Sequence, residues 1–226
     1  MYAEIFDFNG AAEYFADRGA SEWAQIAEII DRLVPCLQPS DQAGIQGSPI
    51  FDPKATNLAL IRDAAAMGWH RVPVPPALRA FGDDWDGGKN RTLAEWQFSN
   101  YPFLWNNVIR TEAVFQQGLP LVGLERVEAL LIVTKSGVFP SSNSSLYYEQ
   151  AKAQLDVVTT LDVFDVPIRL IGLSIPQNAE RFDCTWTAYA ARTSRTVVTT
   201  VPCEIAVTWT GKLSKYGVPV AALRRI

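Results

Sequence analysis

Histidine is nearly absent from this chain: His70 is the only one among 226 residues. A lone histidine is more often a structural or surface residue than a catalyst. The three cysteines, Cys36, Cys184 and Cys203, are odd in number, far apart and without metal-ligand spacing. That argues against a zinc module or a disulfide framework, and three reduced, partly buried thiols are expected. No apolar run approaches the length of a bilayer span, and Glu4 and Asp7 stand where a secretory signal carries basic residues. A cytoplasmic protein with no membrane partner is therefore expected. Also missing are a glycine-rich phosphate loop, a serine nucleophile elbow, an internal repeat and low-complexity sequence.

What remains is a chain long enough for one sizeable core, with a net charge of −4 that argues against indiscriminate binding to nucleic acid. The charge is uneven. From Pro176 onward seven Lys/Arg face three acids, a balance of +4, which leaves −8 for the rest. A solvated surface explains this as well as a DNA-embracing arm does.

Apolar spacing predicts a short helix over 11–17, an amphipathic helix over 21–34 capped by Ser21, a loop over 38–53, and a helix over 56–67. Residues 69–76, rich in proline, read as extended. A helix over 102–117 carries Leu104, Val108, Thr111 and Phe115 on one stripe, and a second runs from Leu146 to about Val158 behind a serine cap. These two helices are the expected interface of a dimer, although either could bury its stripe wholly inside its own subunit. The near-continuous apolar runs 127–134 and 166–174 read as strands buried on both faces, and 185–192 and 196–210 have strand propensity.

The chemistry concentrates in Asp86-Gly-Gly-Lys-Asn-Arg-Thr-Leu-Ala-Glu95-Trp96-Gln97. Asp86 is expected in a glycine-containing turn. In a strand from Arg91 to Phe98, Leu93, Glu95 and Gln97 share one face, while Thr92, Ala94, Trp96 and Phe98 share the other. Asp86 and Glu95 with the Trp96 carbonyl form a hard-oxygen set suited to Mg2+, and Gln97 is placed to orient an attacking water. With 24 acids in the chain, a pair of solvated charges would give the same spacing. Two polar clusters could reach base edges, Ser99-Asn100 and Ser142-Asn143-Ser144, because asparagine pairs bidentately with adenine.

Asp86, Glu95 and Gln97 run directly into Phe98-Ser-Asn-Tyr-Pro-Phe-Leu104. With Ser40–Ala43, Ile50–Pro53, Phe139–Ala151 and Phe164–Leu170 in the same order, this segment resembles the BglII family of restriction endonucleases. That family belongs to the PD-(D/E)XK nuclease superfamily. The resemblance spans residues 40–174; near His70 it departs from the family's asparagine-rich stretch.

The resemblance implies an α/β fold with a central mixed sheet flanked by helices. Residues 1–174 would form the catalytic domain and 175–226 an appended β-rich subdomain. It implies a type II endonuclease with Asp86, Glu95 and Trp96 on Mg2+ and with Gln97 where most of the superfamily has lysine. It also implies readout by the two polar clusters of a GATC-centred palindrome, AGATCT, cut to 5′ overhangs. A palindrome cut on both strands of double-stranded DNA calls for a C2 homodimer. Arg192, Arg195, Lys212 and Lys215 would then touch phosphates. Two other readings remain open: a repair or mobile-element nuclease of relaxed specificity, and a DNA-binding protein without catalysis.

Overall fold

The computed structural model describes residues 1–98, 100–118, 120–141, 145–191 and 196–226. The chain opens with β1 (Tyr2–Phe8), α1 (Ala11–Ala16) and α2 (Ala20–Arg32). Next come β2 (Cys36–Pro39), β3 (Pro49–Phe51), α3 (Pro53–Ala66) and β4 (His70–Pro73). A 3-10 turn, Pro76–Phe81, leads to β5 (Asp84–Lys89), β6 (Thr92–Trp96), α4 (Phe103–Gln117), β7 (Ala129–Lys135), α5 (Tyr148–Thr160) and β8 (Ile168–Ser174). Three long strands follow, β9 (Arg181–Tyr189), β10 (Val197–Leu213) and β11 (Pro219–Arg225).

Six strands form a mixed sheet in the order β1-β8-β7-β6-β5-β4, with β6, β7 and β8 parallel and the other pairs antiparallel. Both faces are covered, which is why β7 and β8 are buried along their whole length and mostly apolar. Ala94, Trp96, Phe98, Leu131 and Val133 face α1, α2, α3 and the second sheet; Leu93, Leu130 and Ile132 face α4 and α5. Each such buried aliphatic side chain stabilises the fold by about 1.5–3 kcal/mol. The α4 stripe of Leu104, Val108 and Thr111 is buried inside its own subunit, while Phe103 and Ile109 of the same helix are exposed.

The second sheet has the order β11-β10-β9-β2-β3. Its C-terminal strands are joined by two short strands, β2, which runs into the start of the expected 38–53 loop, and β3 within it, with β2 pairing parallel to β9 and antiparallel to β3. Pro39 and Pro49 disguise these strands in the sequence. Pro49 is tolerated because β3 lies at the sheet edge, and Pro39 because β2 pairs with β9 only through Cys36 and Leu37, so no partner needs the missing N–H groups. The β9–β10 register sets Cys184 opposite Cys203, so two of the three free thiols touch across strands despite their separation in sequence.

Helix starts differ from the expected caps. Ser21 lies inside α2, whose N-cap is Gly19, and α5 starts after Tyr147 without a serine cap. The side-chain cap on α3 comes from Asp52, whose carboxylate accepts from the N–H groups of Lys54 and Ala55 at 3.0 and 3.1 Å. That carboxylate also accepts from the Tyr189 hydroxyl at 2.8 Å, tying α3 to β9.

Candidate active site

Asp86 lies within strand β5 and not in a turn; the turn is Asn90-Arg91, with Asn90 in the left-handed region at φ 50°. Asparagine tolerates that conformation. The glycines after Asp86 serve close packing instead. A Cβ on Gly88 would run into Val72 and Leu124, so only glycine lets β4 and the 121–124 segment close on β5. Pairing also slips by one residue between Val72↔Trp85 and His70↔Gly88, so β5 carries an extra residue beside Asp86. Irregularities of this kind re-aim side chains at active sites.

Antiparallel pairing of Gly87 with Ala94 brings the Asp86 and Glu95 positions together. The Asp86 carboxylate accepts from the Trp96 N–H at 3.0 Å. Burial raises its carboxyl above the usual range, with that hydrogen bond pulling the other way. Glu95 is pushed up to about 8 by burial; the Arg110 guanidinium opposes the shift and Asp86 adds repulsion. Two crowded, desolvated carboxylates whose ionised forms are disfavoured suit a cation that would neutralise them both. Their oxygens and the Trp96 carbonyl fit the donor preference of a hard divalent ion. No group of three or more His, Cys, Asp or Glu placed to hold a metal occurs among the described residues, so at this site the two carboxylates would be joined by a carbonyl and waters.

The alternation expected for β6 places Glu95 and Gln97 toward α4, and α4 supplies partners that sequence reading missed. Arg110, with its side chain only 4 % exposed, forms an ion pair with Glu95 and also donates to the Phe81 carbonyl at 3.3 Å. Its guanidinium stands 4.9 Å from the Trp85 ring centre. Gly82, at φ 132°, leaves the space that this side chain fills. Asn107 donates to Gln97 Oε1 at 3.2 Å, while Gln97 Nε2 donates to the Asn100 carbonyl at 3.5 Å. The signal was present: Asn107 and Arg110 interrupt an otherwise apolar stripe at helical spacing.

Two clefts border this cluster. The larger, about 970 Å3, lies between α3 and β9 and reaches Asp86; the smaller, about 560 Å3, is lined by Asp84, Gln97, Asn107 and Arg110. Arg71 borders both, is 62 % exposed and pairs with Asp84 at 3.3 Å. His70 is exposed, its ring 3.5 Å from the Val122 carbonyl, away from the carboxylates.

Of the other sequence candidates, Asn100 is exposed with φ 47° just beyond β6. Lys212 is the penultimate residue of β10, and Lys215 lies in the turn before β11, where Tyr216 donates to Gln150 of α5 at 3.0 Å. Both lysines are exposed. Ser99, Ser142, Asn143, Ser144, Arg192 and Arg195 lie outside the described residues.

Comparison with known proteins agrees with this arrangement. A family model described as restriction endonuclease BglII/BglIII matches residues 3–173. The type II restriction enzyme BglII of Bacillus subtilis is 41 % identical over 199 residues, 87 % of each chain. The crystal structure of BglII complexed with a DNA 16-mer superposes with a TM-score of 0.91 at 36 % identity over the whole of both chains. Free BglII gives a TM-score of 0.72 at 34 % identity over 98 % of this chain and all of that one. With a PD-(D/E)XK-like mixed sheet, two carboxylates meeting on its central hairpin and this degree of identity, the chain belongs to the BglII family of restriction endonucleases.

Proposed function

We propose that the protein is a Mg2+-dependent type II endonuclease. It acts as a C2 homodimer on a GATC-centred palindrome in double-stranded DNA, AGATCT, and leaves four-base 5′ overhangs. The observation that carries this reading is the crowded Asp86–Glu95 pair next to Gln97, whose amide is bonded to the backbone of Asn100. The relative is named a type II restriction enzyme, and one of the similar solved structures is BglII complexed with a DNA 16-mer.

Bound to Asp86, Glu95 and the Trp96 carbonyl, Mg2+ would lower the pKa of a bound water and offset charge growing on the phosphate. Gln97 orients that water. An amide neither takes the proton nor adds charge, so Gln97 cannot replace a lysine. Positive charge near the scissile phosphate comes instead from Arg71, which borders both clefts. Asn107 holds Gln97 in place, and the bond from Gln97 to Asn100 links the chemical step to the segment that reads bases.

Residues 1–174 carry the chemistry in this reading, and 175–226 the phosphate contacts. The homodimer follows from the two-fold symmetry of a palindrome. Phe103 and Ile109 on α4 and Val157, Leu161 and Val163 at the end of α5 are exposed apolar surface available to a second subunit.

Readout is tested at Asn100 and Asn143. Replacing either with alanine lowers discrimination between the preferred site and a single-base variant by about 1–3 kcal/mol, with little change in non-specific affinity. Unchanged cleavage of the original site alone, at the original rate, removes both from the reading surface. Phosphate contact is tested at Arg192, Arg195, Lys212 and Lys215. Each neutralised contact flattens the slope of log affinity against log salt by about one unit, equally for cognate and non-cognate DNA. An unchanged slope in the quadruple alanine variant makes the C-terminal charge a solvated surface.

A further inference from the structure

Lys135, the last residue of β7, is a lysine with no exposed surface. Its Nζ donates to the Phe98 carbonyl at 3.1 Å and to the Leu146 carbonyl at 2.9 Å. It lies 5.5 Å from the ring centre of Phe51 and 4.5 Å from that of Tyr147. Burial pulls its ammonium down to about 7, with Glu149 pulling the other way. Either protonation state serves the same two acceptors, because a neutral amine keeps two N–H bonds and the ammonium has a third that can face the rings.

The two carbonyls share a position relative to the DNA-reading candidates. Phe98 is followed at once by Ser99 and Asn100, and Leu146 comes two residues after Ser144. Nearby contacts hold the same ends. The Phe51 N–H donates to the Pro140 carbonyl at 2.7 Å, and the Phe51 ring packs 5.1 Å from Phe98 and 5.5 Å from Phe139. Thr134 Oγ1 also donates to the Leu146 carbonyl, at 3.3 Å. An apolar side chain could fill this volume; only a long donor can tie two separate backbone segments at a fixed spacing.

We propose that Lys135 is a positioning residue for sequence readout: its amine clamps the chain leaving Phe98 to the chain arriving at Leu146, so that both polar clusters meet one DNA site in register. This inference rests on the reading of those clusters as base readers. The experiment measures kcat/KM on the preferred duplex and on duplexes with one base pair changed, for Lys135→Met, Lys135→Gln and, as a reference, Asn100→Ala. Lys135→Met lowers the ratio of the two about tenfold or more, within what one base contact contributes. Lys135→Gln, whose shorter side chain keeps a donor amide, loses less. If Asn100→Ala lowers the ratio but a folded Lys135→Met melts earlier with its ratio unchanged, Lys135 is only structural and this inference fails alone. If Asn100→Ala also leaves the ratio unchanged, the readout assignment itself falls, and this inference with it. Should neither lysine variant fold, amide hydrogen exchange on the unaltered protein decides. The clamp predicts one shared opening free energy for residues 97–101 and 145–148, and two clearly different values overturn it.

Discussion

Asp86→Asn and Glu95→Gln each stop DNA cleavage but move stability in opposite directions. The rate falls about 10³-fold or more, since a bound metal contributes several kcal/mol and each decade corresponds to 1.36 kcal/mol. Specific DNA binding persists. Both carboxyls titrate above their ordinary values in the folded protein. As pH rises, the unfolded chain therefore loses these protons first, and the metal-free fold loses stability across the interval. For Glu95 that window runs from its ordinary value near 4.5 to about 8. Asp86→Asn removes one such carboxylate, so the metal-free variant melts higher than the parent at pH 8 and about equally near pH 4. Glu95→Gln behaves otherwise because it strands a buried guanidinium. Thermal melts without metal at the two pH values, alongside single-turnover cleavage, check both halves. Near-parental turnover in either variant refutes the metal-site assignment.

Arg110→Met has the largest expected effect on the fold. Removing one partner of a buried ion pair costs about 3–5 kcal/mol, because the remaining charge has neither water nor a counter-ion. Here the remaining charge is Glu95, already disfavoured by burial and by Asp86. The loss therefore deepens as pH rises past about 8, where the parent ionises Glu95 and the variant, without the guanidinium, still resists doing so. Arg110→Met combined with Glu95→Gln recovers most of the stability, since no unpaired charge remains. Denaturant midpoints for the four proteins of the cycle give the coupling directly. Additive losses would mean that the two side chains act independently and that Arg110 is held by the Phe81 carbonyl and the Trp85 ring instead.

These expectations show where sequence reading stopped. The alternation from Leu93 to Phe98 was legible because the sheet separates two environments, and period 2 records which face each residue meets. The apolar stretches that became β7 and β8 were legible for the same reason, being covered on both sides. Asp86 was misplaced in a turn because Gly87-Gly88 reads as a turn in one dimension. Only the approach of Val72 and Leu124 reveals that these glycines make room within a strand. Nothing in the sequence ties either acid to the stability of the fold. In the structure Arg110 makes that tie for Glu95, and its partnership depends on how α4 lies across β6. The C-terminal strands were visible in their β-branched composition. Their parallel neighbour β2 was not, being four residues long and ending in proline.

Digestion of a mapped plasmid containing AGATCT, with and without Mg2+, followed by sequencing of the ends, tests the central claim most directly. The account predicts cleavage only with the metal, on both strands, only at AGATCT, leaving 5′-GATC overhangs, and no cleavage by Asp86→Asn under the same conditions. Cleavage in the presence of chelator, scattered nicking without a common sequence, or an intact plasmid at saturating enzyme and Mg2+ would contradict it.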